Sequence, residues 1–205
     1  MIETRGFKIA RAITLTLLSL FVLVPLWIIL TTAFKPLSDV SGTFVWFPST
    51  WTIDPFVDMW STVPLARYFA NSLVVTVVAT ACSVIVSILA SYALARLSFR
   101  AKRPFSLVIL STQMFPGILF LLPLFLIFTQ IQRTIGLQLT GSLLGMIVTY
   151  MTFTLPFSIW MLTGYMRAIP AALEEAAMID GTGRLGALFR VILPVARPGI
   201  VAVAV

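Results

Sequence analysis

Residues 68–95 read "YFANSLVVTVVATACSVIVSILASYALA", 28 positions without one charge. About 20 apolar residues of helix cross a bilayer core, so this run is long enough to span once. Three more uncharged runs accompany it, at 12–34, 104–132 and 134–166. None has room for two crossings and a turn. Of the 205 residues, 60% are hydrophobic and 10% charged, against roughly a quarter charged in ordinary soluble domains. The pattern predicts an all-α, polytopic helical membrane protein. It forms a single transmembrane domain over 1–205, with spans near 12–34, 68–95, 104–132 and 142–166 and the start of a fifth at 195–205.

The first run follows Arg5, Lys8 and Arg11 as a signal peptide would. Its length exceeds the apolar region of such a peptide, and no small-x-small cleavage site follows, so it reads as a retained span. Lys and Arg set the orientation. The N-terminal tail, the loop after the second span (Arg96, Arg100, Lys102, Arg103) and the loop after the fourth (Arg167, Arg184, Arg190, Arg197) hold eleven basic residues. The alternate side holds only Lys35, Arg67 and Arg133. The positive-inside rule makes the first set cytoplasmic and puts the N-terminus inside. The net charge of +7 is thereby accounted for, and a nucleic-acid surface on a soluble fold is not expected. Trp46, Phe47, Trp51 and Trp60, in the first outer loop, fit an aromatic layer at the membrane face.

The runs contain no Asp, Glu, Lys, Arg or His. A proton-driven carrier usually places an ionisable relay within the membrane, and an intramembrane hydrolase needs a nucleophile and base or metal ligands. Any transport by this chain therefore draws its energy from another subunit. Cys82 is the sole cysteine and histidine is absent, which leaves no disulfide framework or metal pair.

Several features within the spans bear on a path. Ser72, Thr76, Thr80, Ser83, Ser87 and Ser91 recur at helical steps on one face; such a stripe packs against a neighbouring helix or faces an aqueous route. Thr149, Thr152, Pro156, Trp160 and Thr163 form a second stripe. Gln113 precedes Pro116 and Gly117, where the helix should kink or break. Gln113, Pro116, Thr149, Thr152 and Trp160 are the candidate path residues.

The inner segment 174–194 reads "EEAAMIDGTGRLGALFRVILP". Gly181, Gly183 and Gly186 match a dinucleotide turn by spacing alone. That turn needs a preceding strand and an acidic residue about 20 positions later, and no Asp or Glu follows Asp180. No phosphate-loop motif occurs anywhere. Pro170 suits the first position of a short helix, Gly181 a left-handed cap at its end, and Thr182 the cap of a second helix over 183–193 closed by Pro194 and Pro198. Ala172 and Ala176 give the first helix a small-residue face, and Glu175 offers a carboxylate for charge-assisted hydrogen bonds to a partner.

On these residues the chain resembles the membrane subunits of bacterial ATP-binding-cassette importers. Their inner loop carries E-A-A, then D-G-A, then a stretch closing in I-x-L-P, and Glu175, Ala176, Ala177, Asp180, Gly181, Phe189, Leu193 and Pro194 match that pattern. Thr182 stands where alanine is common. The second and fourth spans look like the carbohydrate-uptake branch, in particular the smaller permease of maltose-type systems. The resemblance implies a type I importer permease fold of six spans, of which about four and the start of a fifth are present here, the C-terminal part being absent. It implies a non-catalytic subunit of the bacterial inner membrane with no cofactor of its own, ATP being bound by a partner. The implied partners are cytoplasmic ATPase subunits, a second homologous permease, an extracytoplasmic solute-binding protein, the lipid bilayer and a sugar. It places ATPase coupling on Glu174, Glu175, Ala176, Ala177, Asp180 and Gly181, in the loop 167–194. A permease for a non-sugar solute, or a membrane scaffold, is the alternative.

Overall fold

The computed structural model describes residues 4–205, and every element among them is helical. In chain order these are α1 (Arg5–Ala33), α2 (Leu37–Ser41), α3 (Asp54–Thr62), α4 (Leu65–Arg96), α5 (Lys102–Met114), a 3-10 turn (Gly117–Phe120), α6 (Leu121–Ile135), α7 (Leu143–Ala168), α8 (Ala171–Ile179), α9 (Arg184–Ala187), a π-helical turn (Leu188–Ile192) and α10 (Leu193–Ala204). Five stretches among the described residues are long and apolar enough to cross a membrane: α1, α4, the 3-10 turn with α6, α7, and the run Arg184–Ala204. The chain divides into two compact units, up to Phe69 and from Ala70 onward.

In the first unit, α1 is 29 residues long and buries only Thr31, leaving an apolar surface all round, as a helix facing lipid requires. The loop beyond it is folded. Lys35, 4% exposed, donates to the Val45 carbonyl and lies 5.5 Å from the Phe44 ring centre. Asp39 accepts from the Ser49 N–H at 2.7 Å and from its hydroxyl at 3.0 Å. Those two bonds, with a smaller contribution from Lys35, hold the Asp39 carboxyl below its usual pKa against a weaker effect of burial. Phe34 packs on Trp51 and Phe56, while Trp46, Phe47, Trp51 and Trp60 stay largely exposed.

In the second unit α7 is the central element. Ser83 and Thr154 share a hydrogen bond of 3.0 Å, and Ser91 lies 3.4 Å from the Met166 sulfur; both numbers rise together, so α4 and α7 run parallel. Gly117 faces Phe153 whereas Ile109 clusters with Ile159, which sets α5 antiparallel to α7. Gly199 faces Tyr165, while Val203 shares a cavity with Tyr150 and Thr154, so α10 is antiparallel to α7 as well. In lipid such contacts rest on close packing rather than on water exclusion. The inner part of the α4 stripe, Ser83, Ser87 and Ser91, is buried, and Ser72 and Thr76 remain exposed.

The uncharged run 104–132 is not one continuous helix. The chain leaves helical geometry at Phe115 and Pro116, where proline removes a donor and disfavours helix at the residue before it. The last helix also departs from the sequence expectation. Pro194 and Pro198 do not close it: helical structure begins at Arg184 and continues to Ala204, well upstream of residue 195. The wide turn at Leu188–Ile192 breaks the i to i−4 ladder just ahead of Pro194, where the proline would have broken it in any case.

Candidate functional site

The segment between α7 and α10 begins at Ile169, which is buried, and Pro170, which stands just outside α8 rather than at its first position. α8 ends as a Schellman motif. Gly181 has φ +89, its N–H donates to the Met178 carbonyl at 3.1 Å, and the Thr182 N–H donates to the Ala177 carbonyl at 3.1 Å. The Thr182 hydroxyl donates to that same Ala177 carbonyl at 2.6 Å. It is therefore spent on α8 and does not cap the next helix. Gly183 is the N-cap of α9, without a side-chain bond.

Two faces of α8 have opposite characters. Inward lie Glu174 and Ala177, both buried; outward lie Ala172, Glu175, Ala176 and Ile179, all exposed, with Ile179 at 85%. These sets follow the three-to-four-residue spacing of a helix. Glu174, 6% exposed, accepts a hydrogen bond from the Tyr92 hydroxyl, and its other carboxylate oxygen lies 3.0 Å from Arg96 Nε. That ion pair is close without being aligned as a hydrogen bond. Arg96 Nη2 donates to the Ile169 carbonyl at 2.7 Å. Beneath them Tyr92, Met166, Ile169, Leu188, Ile192 and Ala196 form one apolar cluster. The node thus gathers the ends of α4 and α7, α8 and the turn leading into α10.

Of the residues assigned to coupling from sequence, Glu175 and Ala176 are on the outward face, Asp180 and Gly181 form the exposed cap, and Glu174 and Ala177 point inward. Arg96 and Tyr92 were not singled out from sequence. The basic residue at the end of a span was visible, but its pairing across about 80 positions was not. Among the path residues, Gln113 and Thr152 line one cavity of about 170 Å³ together with Thr112, Phe153 and Pro156. Pro116 caps the 3-10 turn beside it. Thr149 lies elsewhere, donating to the Gly145 carbonyl at 2.7 Å, and Trp160 borders a separate cavity with Arg167. A further cavity of about 170 Å³ is lined by the hydroxyls of Thr76, Thr80, Ser83, Tyr150 and Thr154; only its α4 side was readable as a stripe.

Residues 83–205 match the family described as binding-protein-dependent transport system inner membrane component. The chain belongs to that family. The trehalose transport system permease protein SugB of Mycobacterium tuberculosis is 36% identical over 191 residues, covering 93% of this chain and 67% of that protein. The diacetylchitobiose uptake system permease protein NgcG of Streptomyces coelicolor is 35% identical over 201 residues, covering 98% and 65%. An inner membrane ABC transporter permease protein of Escherichia coli, YcjP, is 37% identical over 192 residues, covering 92% and 66%. The chain spans about two thirds of the length of these relatives. The crystal structure of a bacterial ABC transporter involved in the import of the acidic polysaccharide alginate superposes with a TM-score of 0.82 at 24% identity, over 100% of this chain and 71% of that one. The fold is that of a type I importer permease.

Proposed function

We propose that this chain is the permease subunit of an ATP-driven sugar importer and that α8 is its coupling helix, seated in a cleft of a separate ATPase. The observation that carries this reading is the two-faced α8. It is tied inward through Glu174 and turns Ala172, Glu175, Ala176 and Ile179 outward. An outward face of small residues, one carboxylate and one bare isoleucine has no function in a solvated loop. It suits close approach by a protein surface with a basic or N–H donor for Glu175. The sugar assignment is supported by relatives named for trehalose and diacetylchitobiose.

ATP binding and hydrolysis would belong to the ATPase, and this subunit would be non-catalytic. A second homologous permease and an extracytoplasmic solute-binding protein would complete the assembly, with the N-terminus, the α4–α5 loop and α8 on the cytoplasmic side. Gln113 and Thr152, which share a cavity, are the best placed of the candidate path residues.

The test is purification of the full-length tagged protein from its native membrane in mild detergent, with mass spectrometry of what accompanies it. The expected result is an ATPase with phosphate-loop motifs and a second permease, the ATPase being lost with Glu175→Lys. Truncating one partner of a buried charge-assisted contact costs about 2–5 kcal/mol, enough to dissociate a micromolar assembly. Recovery of the protein alone, or with the same unrelated partners in both versions, would refute the reading. Uptake of labelled disaccharides set against amino acids and oxyanions checks the solute class.

A further inference from the structure

The buried node at Glu174 has a role distinct from that of its neighbour Glu175. We infer that Glu174, Arg96 and Tyr92 are positioning residues that lock α8 to the end of α4, so that a displacement of α8 moves the second span directly. The inference rests on the importer reading above.

Three observations carry it. Glu174 is a buried carboxylate on a nine-residue helix whose other acidic residue is exposed. Both of its oxygens are engaged, one by the Tyr92 hydroxyl and one by Arg96 Nε at 3.0 Å, and both partners belong to the last turns of α4. Arg96 also holds the Ile169 carbonyl at 2.7 Å, so the chain entering α8 is pinned by the same guanidinium.

An apolar contact would have held α8 at least as firmly, because a buried ion pair costs much of its attraction in desolvation. What a carboxylate, a phenol and a guanidinium add is direction. A leucine pair can slide or rotate, whereas these groups meet in one register only. The outward aim of Glu175 follows from it. With Glu174 held inward, the next residue is turned about 100° around the helix, toward the side from which a partner would approach. The apolar cluster beneath, of Tyr92, Met166, Ile169, Leu188, Ile192 and Ala196, extends the lock to α7 and to the turn before α10. A push on α8 would therefore reach the spans through a packed unit.

The experiment uses the complete transporter in proteoliposomes and compares uptake per ATP hydrolysed of the labelled disaccharide, trehalose or diacetylchitobiose, that the wild type takes up, normalised to assembled complex. The variants are Glu174→Gln, Arg96→Gln, their double, and Tyr92→Phe. A lock predicts that each charge variant assembles and hydrolyses ATP but loses uptake per ATP by about tenfold, the size of an ordinary coupling free energy. The double should be no worse than the poorer single, since both remove one interaction. Tyr92→Phe, which keeps the ring in its cluster and removes the hydroxyl that donates to Glu174 and, at 3.4 Å, to the Arg184 carbonyl, should lose less, about two- to threefold.

A residue that served stability alone would reduce the amount of complex and leave uptake per ATP unchanged. That result, or strictly multiplicative losses in the double, overturns the inference. Should the charge variants fail to assemble, Tyr92→Phe decides: unchanged uptake per ATP in that variant overturns it too. A wild-type assembly that hydrolyses no ATP, or takes up no solute with it, would overturn the importer reading and this inference with it. That outcome is visible before any variant is made.

Discussion

At the scale of single residues, Gly181 separates conformational cost from steric cost. Its φ of +89 lies in the left-handed region, and a Cβ built there meets nothing within 4 Å. A Cβ is therefore sterically free, and what resists its addition is the backbone. For an L-residue other than Asn or Asp, that conformation costs roughly 1–2 kcal/mol. Gly181→Leu should leave insertion intact but loosen the Schellman cap, and with it the bonds that fix Thr182 to Ala177. We expect uptake to fall severalfold, with Gly181→Asn retaining most of it. Equal losses in the two variants would show that the position is limited by a partner's surface and not by the turn. The glycine cap was legible because D-G after a helical run has a local meaning. The inward turn of Glu174 was not. Two adjacent glutamates look alike in sequence, and which one faces inward is decided by Tyr92 and Arg96 on another helix.

At the scale of elements, glycine has a different use. A Cβ on Gly199 would come within 2.6–2.9 Å of three atoms of the Tyr165 ring, so α10 lies against α7 at a distance that only glycine permits. Helices in lipid associate through such close approach. Gly199→Ala should part the two helices, at the cost of overpacking, about 1–3 kcal/mol. The readout is a lower midpoint of thermal unfolding in detergent, restored when Tyr165→Ala is added. Failure of the second change to restore it would place the strain elsewhere.

The same pair of elements shows where local rules lose to context. Pro194 and Pro198 read as helix terminators, yet the helix runs through both, because the wider turn at Leu188–Ile192 has already relaxed the ladder and Leu188 and Ile192 are anchored in the apolar cluster. Pro116 does break its run, whereas α1 continues through Pro25. Periodicity and charge spacing made the spans visible. The fate of each proline depended on neighbours that no window of sequence contains.

At the scale of the whole molecule, orientation is the property on which the proposed function depends, and two observations bear on it. The first is charge: eleven of the fourteen Lys and Arg fall at positions 5–11, 96–103 and 167–197, and the positive-inside rule favours the cytoplasm for the membrane face that collects them. The second is geometric and uses no charge. Ser83 meets Thr154 and Ser91 meets Met166, so α4 and α7 are parallel and the segments that follow them must emerge on one side. Arg96 then closes that side by reaching Ile169 and Glu174, which ties the α4 exit to α8. On the proposed coupling role an ATPase would act on α8 from the cytoplasm, which would place the loop at Ser98 in the cytoplasm and the loop at Thr50, one crossing earlier, outside. Cys82 is the one cysteine in these 205 residues, so a background with Cys82→Ala and any further cysteine of the full-length protein replaced serves for Thr50→Cys and Ser98→Cys, both at exposed positions. A membrane-impermeant maleimide should label Thr50→Cys in intact cells with the outer barrier opened, and Ser98→Cys only after the inner membrane is permeabilised. The reverse pattern would put α8 on the wrong side of the membrane for any ATP-driven partner, and the coupling role would fall with it.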